Sequence, residues 1–187
     1  MAVTAPRREQ LLGAAASLFA ARGYHEVGID DIGAAAGISG PGVYRHFPSK
    51  QALLEALCDR AMTRMLDGAR RTPAGHEDPA QALLALVDLH VDFAVTHRQL
   101  LGVWAREQRA LSDDVRRSLR RRQREYERVW REAAAPLRPE LDHAEVAVVV
   151  VAVLALMNAT ALTDVAVPPE RLVPLLQRTA VAALQPG

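Results

Sequence analysis

Apolar residues recur at three- and four-residue spacings along most of this chain, and the runs are punctuated by glycine, proline and capping residues. That is the signature of successive amphipathic helices. Leu11, Leu12, Ala15, Leu18 and Phe19 form a first stripe, opened by Thr4 or Ala5 as cap and by Pro6 in the first turn, and closed by Gly23. Ile29, Ile32 and Ala36 predict a short second helix ended by Gly37. Ile38 then turns inward and Ser39 caps a third helix carrying Pro41, Val43, Tyr44 and Phe47, which Pro48 stops. Ser49 opens a longer helix to about Arg71, with Leu53, Leu54, Leu57, Met62, Met65 and Leu66 inward. Residues 72–77 read as a linker.

Asp78-Pro79 starts the next helix, whose apolar surface holds Leu83, Leu84, Leu86, Val87, His90, Val91, Phe93 and Ala94. Gln99 to Arg109 predicts a shorter one with Leu100, Leu101, Val103 and Trp104. Ser112 caps a helix to about Ala134, and Asp113 and Asp114 suit its N-terminal dipole. On that helix Val115, Leu119, Tyr126, Val129 and Trp130 share one face, and Arg117, Arg121, Arg124, Arg128 and Arg131 another. The arginines fit a solvated face, partly paired with Glu125, Glu127 and Glu132. A nucleic-acid stripe, or an anion contact at Arg106 or Arg120, are the alternatives. Pro136 and Pro139 break the chain, and Asp142 to Glu145 has the spacing of a capping box. Val146 to Leu162 is apolar around nearly its whole circumference, more than one layer of helices can cover, so a symmetry mate is the economical second partner. Its continuous apolar run, Val146 to Met157, is shorter than a membrane span and closed by Glu145 and Asn158. A last helix after Pro168-Pro169 shows a further apolar face through Leu172, Val173, Leu175, Leu176, Thr179, Ala180, Val181, Ala183 and Leu184.

The segment 28–47 therefore predicts two short helices joined by a glycine turn, the device that lays a second helix in a major groove. The residues Phe19, Ala21-Arg22-Gly23-Tyr24, Asp31-Ile32, Ala35-Ala36-Gly37-Ile38-Ser39 and Tyr44-Arg45-His46-Phe47-Pro48-Ser49-Lys50, followed by Leu53-Leu54, resemble the DNA-binding domain of the TetR family of bacterial one-component regulators. The resemblance covers about the first third of the chain. Beyond it, only the helical character and length are similar to that family. Two departures stand out. Val27-Gly28 replaces a hydroxyl-bearing pair, and Ser39-Gly40-Pro41-Gly42 lacks the usual Lys and Thr at the start of the recognition helix.

The resemblance implies an all-α fold: a DNA-binding domain over residues 5–65 and a ligand-binding and dimerisation domain over 66–187. It implies operator contact through Gly28, Ser39, Gly40, Pro41, Gly42, Tyr44, Arg45, His46 and Lys50. Tyr44 and His46 would anchor phosphates, Arg45 would approach base edges, and the backbone N–H groups of Gly40 and Gly42 would meet phosphates. It also implies a homodimer through the last two helices. Aromatic and apolar residues between helices, Phe93, Trp104, Tyr126, Trp130 and Met157, with Asn158 as a polar group, are candidates for a ligand cavity. The expected ligand is apolar or amphipathic, a class that includes acyl thioesters and drug-like molecules.

Composition narrows the chemistry. The formal net charge is +1, so nucleic-acid binding must come from a local patch and not from a global field. The single cysteine, Cys58, excludes an internal disulfide and suits a reducing cytoplasm. No metal-ligand spacing, phosphate loop or nucleophile with a base is present, so no catalytic site, metal or cofactor is expected. The sequence reads as a ligand-responsive repressor. Two other readings stand beside it: a helical-bundle enzyme, for which the chain offers a single Glu-x-x-His, Glu140 to His143, and a repressor-like protein acting through protein partners.

Overall fold

The computed structural model describes residues 4–162 and 166–184, with side chains over 6–72, 75–160 and 166–184. The expected cap at Thr4 or Ala5 lies outside those side chains. Among the described residues the regular structure is helical: α1 Thr4–Arg22, α2 Ile29–Ala35, α3 Gly40–Tyr44, α4 Lys50–Ala74, α5 Pro79–Thr96, α6 Arg98–Glu107, α7 Asp113–Ala134, α8 His143–Leu162 and α9 Pro169–Leu184. Short 3-10 turns follow α6 and α7. Helix α4 runs to Ala74, past the expected end at Arg71 and into the expected linker. The recognition helix is shorter than expected. Only Gly40–Tyr44 is regular, and Arg45 to Phe47 form a turn whose His46 and Phe47 N–H groups still donate to the Val43 carbonyl.

The chain divides into two compact units, 1–61 with 99–119, and 62–98 with 120–187. Residues 99–119 thus pack with the N-terminal helices, although the sequence assigned them to the C-terminal domain. Within the first unit α1 packs on α2 and α2 on α3. Leu11, Leu12, Phe19, Ile32, Val43, Phe47, Leu53 and Leu54 make the core. Gly23 and Gly37 take the left-handed conformation that ends α1 and α2, with φ 83° and 69°. The contact of α2 with α3 is set by Gly33, which is buried. A β-carbon there would lie 2.8 Å from the Ile38 carbonyl oxygen and 3.2 Å from a Val43 methyl. Gly42 is different: its added carbon would meet only Ile38 and Ser39 side chains at 3.4–3.5 Å, ordinary contact.

In the second unit α5, α8 and α9 pack on one another. Gln177 of α9 donates to Asp88 of α5 at 2.7 Å. Helix α8 begins with the expected capping box: Asp142 Oδ1 accepts from the N–H groups of Ala144 and Glu145, and Glu145 accepts from Asp142 N–H at 2.8 Å. Its length corrects one expectation. The helix has 20 residues, and its first 18 are long and apolar enough to cross a membrane, as are those of α5. Val146, Val150, Val153, Leu154 and Met157 of that stretch are buried, whereas Val148 and Val151 are exposed.

The core of this unit holds one polar cluster. His90 of α5 is 4% exposed, and both of its ring nitrogens are engaged: Nδ1 with the Tyr126 hydroxyl at 2.7 Å and Nε2 with Asn158 Oδ1 at 3.1 Å. An amide oxygen only accepts, so Nε2 carries the proton and the Tyr126 hydroxyl donates to Nδ1. Burial pushes the His90 pKa down to about 4, opposed by the Asn158 bond, so the ring is neutral at physiological pH. Burial also raises the Tyr126 pKa above the ordinary phenol range, with Trp130 opposing weakly. Trp130 Nε1, itself buried, makes no hydrogen bond of acceptable distance and angle.

Two outcomes follow. Gly33→Ala destabilises the first unit by about 2 kcal/mol or more, because backbone and not a flexible side chain must give way, whereas Gly42→Ala stabilises it by about 0.5–1 kcal/mol through helix propensity; denaturant unfolding followed by circular dichroism measures both. His90 binds its proton more weakly folded than unfolded, so its contribution is complete above the unfolded value near 6.5 and is lost as pH falls toward about 4. The loss amounts to about 2–3 kcal/mol. Stability measured between pH 7 and pH 4 falls more steeply for the parent than for His90→Gln.

Candidate nucleic-acid interface

The outward face of α3 is produced by the burial of its inner one. Gly40 and Val43, three apart, are buried, so Pro41, Tyr44 and Arg45 project to solvent. Tyr44 is 55% exposed, unusual for a large aromatic. Ser39 is exposed and His46 half-buried beside it. Ser39 stands at the N-cap position of α3, but its side chain makes no capping bond, which leaves the hydroxyl open to a ligand. The exposed set therefore holds a hydroxyl, a phenol, a guanidinium and an imidazole, all hydrogen-bonding groups suited to phosphate oxygens or base edges.

Three expected contacts are placed elsewhere. Gly40 is buried, its α-carbon facing the Asp30 carboxylate closely enough that a β-carbon would collide with it. The Gly42 N–H already donates to the Ser39 carbonyl at 2.8 Å. The Gly42 amide is therefore engaged within the first turn of α3, on the carbonyl of its cap. Lys50 is the third. Its ammonium donates to the carbonyls of Tyr24 at 2.9 Å, His25 at 3.2 Å and Val27 at 2.8 Å, and sits 4.6 Å over the Tyr24 ring. An ammonium has three donors, and all three are in use.

The elements that hold this face are short and depend on side-chain anchors. Gly28 is the N-cap of α2, exposed, and its N–H donates to Asp31 Oδ2 at 2.8 Å. That bond, with Arg22 3.5 Å away, holds the Asp31 carboxyl below its ordinary pKa. Arg7 of α1 donates to the Ala36 carbonyl at 3.1 Å, placing a cation at the C-terminal end of α2. Arg8 lies over the Phe47 ring at 4.5 Å. Ser49 accepts from Ala52 N–H and so caps α4. Tyr24 is buried against Phe19, their rings edge to face with centroids 5.2 Å apart.

The candidate ligand residues fall into two groups. Phe93, Tyr126, Trp130 and Met157 are buried in the second unit, and half-buried Asn158 is linked to Tyr126 through His90. Trp104, half-buried, belongs to the first unit. Along the chain His90 stands only as one member of the apolar surface of α5. Its signal was a titratable side chain in the middle of an apolar stripe, thirty-six residues before the tyrosine it meets. The arginines of α7 behave as a solvated face. Arg116 pairs with Asp113, Arg117 with Asp114 and Arg128 with Glu132, while Arg120, Arg121 and Arg124 are exposed, as is Arg106 of α6. Glu140 pairs with Arg138, and among the described residues no three His, Cys, Asp or Glu side chains gather as metal ligands would.

Comparison with known proteins places this architecture. Residues 11–57 match the family described as bacterial regulatory proteins, tetR family, and residues 76–162 match the tetracyclin repressor-like C-terminal domain. The chain is 41% identical over 87 residues to the HTH-type transcriptional activator FasR of Mycolicibacterium smegmatis, a match covering 46% of this chain and 40% of that protein. It is 36% identical over 81 residues to the HTH-type transcriptional repressor KstR2 of Rhodococcus jostii, covering 43% of this chain and again 40% of that protein. The matched part thus spans well under half of either relative. Among solved structures, a TetR-family transcriptional regulator from Bordetella parapertussis superposes with a TM-score of 0.82 at 27% identity, over 92% of this chain and 93% of that one. Matches to both halves of the family, joined to a helix-turn-helix with the geometry described, lead to one conclusion: the chain belongs to the TetR family of bacterial regulatory proteins.

Proposed function

We propose that the chain is a ligand-responsive transcriptional regulator that binds operator DNA as a homodimer in the cytoplasm and is released by a small molecule. The observation that carries the DNA-binding reading is the outward face of α3, where Tyr44, Arg45 and Pro41 are exposed while Gly40 and Val43 are buried. In this reading α3 enters a major groove, Tyr44, His46 and Ser39 hold phosphates, and Arg45 reaches base edges. Two such helices, about 34–36 Å apart across a dimer, read the half-sites of a pseudo-palindrome. The curated relatives are named an activator and a repressor, and repression relieved by ligand is the form proposed here. Their names are those of regulators, in keeping with a binding protein and not an enzyme.

Dimerisation is supported by α8 and α9. Val148 is 69% exposed and Val151 49%, and Ala152, Ala155 and Ala159 continue the same side of α8. Leu175 of α9 is 46% exposed. Exposed valines three apart on a helix that already packs on α5 and α9 describe a seam awaiting a second copy.

For the ligand, the residues around His90 supply an apolar wall and neutral polar groups. With His90 uncharged, the cluster offers neutral hydrogen-bonding groups and no cation. That favours an apolar molecule with an uncharged acceptor such as a carbonyl. A solved relative at 19% identity, AibR, was crystallised with isovaleryl coenzyme A and operator DNA, so this fold holds an acyl thioester in at least one protein.

Tyr44→Ala tests the docking pose. Operator affinity falls by about 1 kcal/mol or more, while helicity and dimerisation are unchanged, and binding to mixed-sequence duplex falls as well because phosphates carry no sequence information; fluorescence anisotropy at matched salt measures it, and parental affinity in the variant rules the pose out. Val148→Glu tests the seam. The position is solvent-exposed within one chain, so the variant folds, but a dimer would bury its charge unpaired. Sedimentation velocity shows a helical monomer, and an intact dimer at micromolar concentration excludes this face.

A further inference from the structure

We propose that Lys50 is a positioning residue for DNA recognition: its ammonium gathers the carbonyls of the segment between α1 and α2 and thereby sets where α2 begins, without touching the duplex itself. The proposal rests on the reading of α2 and α3 as the DNA-docking pair. Its basis is geometric. The chain from Tyr24 to Val27 is not helical, so its carbonyls lie outside any helical ladder. Three of them, on Tyr24, His25 and Val27, converge within 2.8–3.2 Å of one nitrogen. Three oxygens aimed at one point repel each other, and only a compact cation with three donors satisfies them together.

The segment is held from its other side as well. Tyr24 N–H donates to the Glu107 carboxylate of α6 at 3.3 Å, and the Tyr24 ring lies beneath the Lys50 ammonium. Val27, buried at 1% exposure, ends the segment, and Gly28 follows as the N-cap of α2. The position of α2 relative to α4 is therefore fixed by the charge on Lys50 at the first turn of α4. Since α3 is seated on α2 through Gly33, displacing the start of α2 displaces the exposed Tyr44 and Arg45 face with it.

Arginine separates this role from a phosphate contact. A guanidinium keeps the charge and binds phosphate well, but its planar fork directs its N–H groups apart and cannot bring them to one point. Lys50→Arg and the milder Lys50→Gln are compared with the parent by amide hydrogen exchange without DNA, and by anisotropy against a mixed-sequence duplex and a site selected from a random pool by the parent. Circular dichroism sets conditions in which each variant is fully folded. The expected result is faster exchange across Tyr24–Ile32 in both variants, about a tenfold loss of affinity for the selected site in each, and an unchanged dependence of log affinity on log salt. Parental affinity in Lys50→Arg, or a salt slope reduced by about one in Lys50→Gln, overturns the proposal in favour of a phosphate contact. Faster exchange with parental affinity in both variants overturns it in favour of a stabilising role alone. If the parent binds neither duplex, the DNA-binding reading falls, and hydrogen exchange alone decides the clamp: unchanged exchange across Tyr24–Ile32 removes it, and faster exchange sustains it.

Discussion

The N-terminal unit depends on how closely α2 and α3 approach at Gly33. Helices of seven and five residues have no stability of their own in water, since nucleation costs more than so few hydrogen bonds return. They persist because the core holds them: Ile32 and Val43 are fully buried on either side of the contact, and Gly33 lets the two backbones meet where any side chain would hold them apart. The polar contacts act on the same problem. Arg7 caps the end of α2, Asp31 its beginning, and Lys50 the segment that leads into it. A pair of short helices fixed in this way presents Tyr44 and Arg45 as a rigid edge, which is what a groove-reading surface requires.

The second unit solves a different problem. Helix α8 has apolar residues all around it, and within the described chain only Val146, Val150, Val153, Leu154 and Met157 find burial. Val148 and Val151 do not, and that imbalance supports a second copy of the chain as the missing partner. Inside the same unit, His90 keeps a neutral ring by engaging both nitrogens, so a titratable group sits in the core without a buried charge. Tyr126 and Asn158 are oriented by those two bonds, one on each ring nitrogen. In the proposed function this cluster provides the polar feature of an otherwise apolar site.

The two units also differ in how their residues are constrained. In the first, close backbone approach and backbone carbonyls dominate, so glycines and a single lysine matter more than their size suggests. In the second, side-chain identity dominates, through the valines of α8 and the polar cluster on α5, α7 and α8. The arginines of α7 belong to neither account. Arg116, Arg117 and Arg128 pair within a turn or so of the same helix, and such exposed pairs contribute little, while Arg122 reaches the Thr63 hydroxyl of α4 at 2.9 Å.

The helical class, the stops at Gly23 and Gly37, the cap at Asp142 and the helix-turn-helix itself were legible in the sequence, because each rests on local chemistry: apolar period, a left-handed glycine, a carboxylate two or three residues before free N–H groups. The outward placing of Tyr44 and Arg45 came with the family resemblance, which put Gly40 on the same face, whereas the fold buries Gly40 with Val43. The length of the recognition helix was not legible, because a turn that keeps two of its hydrogen bonds has the same residue pattern as a helix. Lys50 was misplaced for a stronger reason. A lysine at a helix start is solvated or phosphate-bound by default, and only the tertiary approach of Tyr24, His25 and Val27, more than twenty residues earlier, gives its charge an internal destination. Gly33 and His90 follow the same rule. A glycine inside a short helix and a histidine inside an apolar stripe have no meaning along the chain, and acquire one only when folding brings the Ile38 carbonyl to the first and Tyr126 and Asn158 to the second.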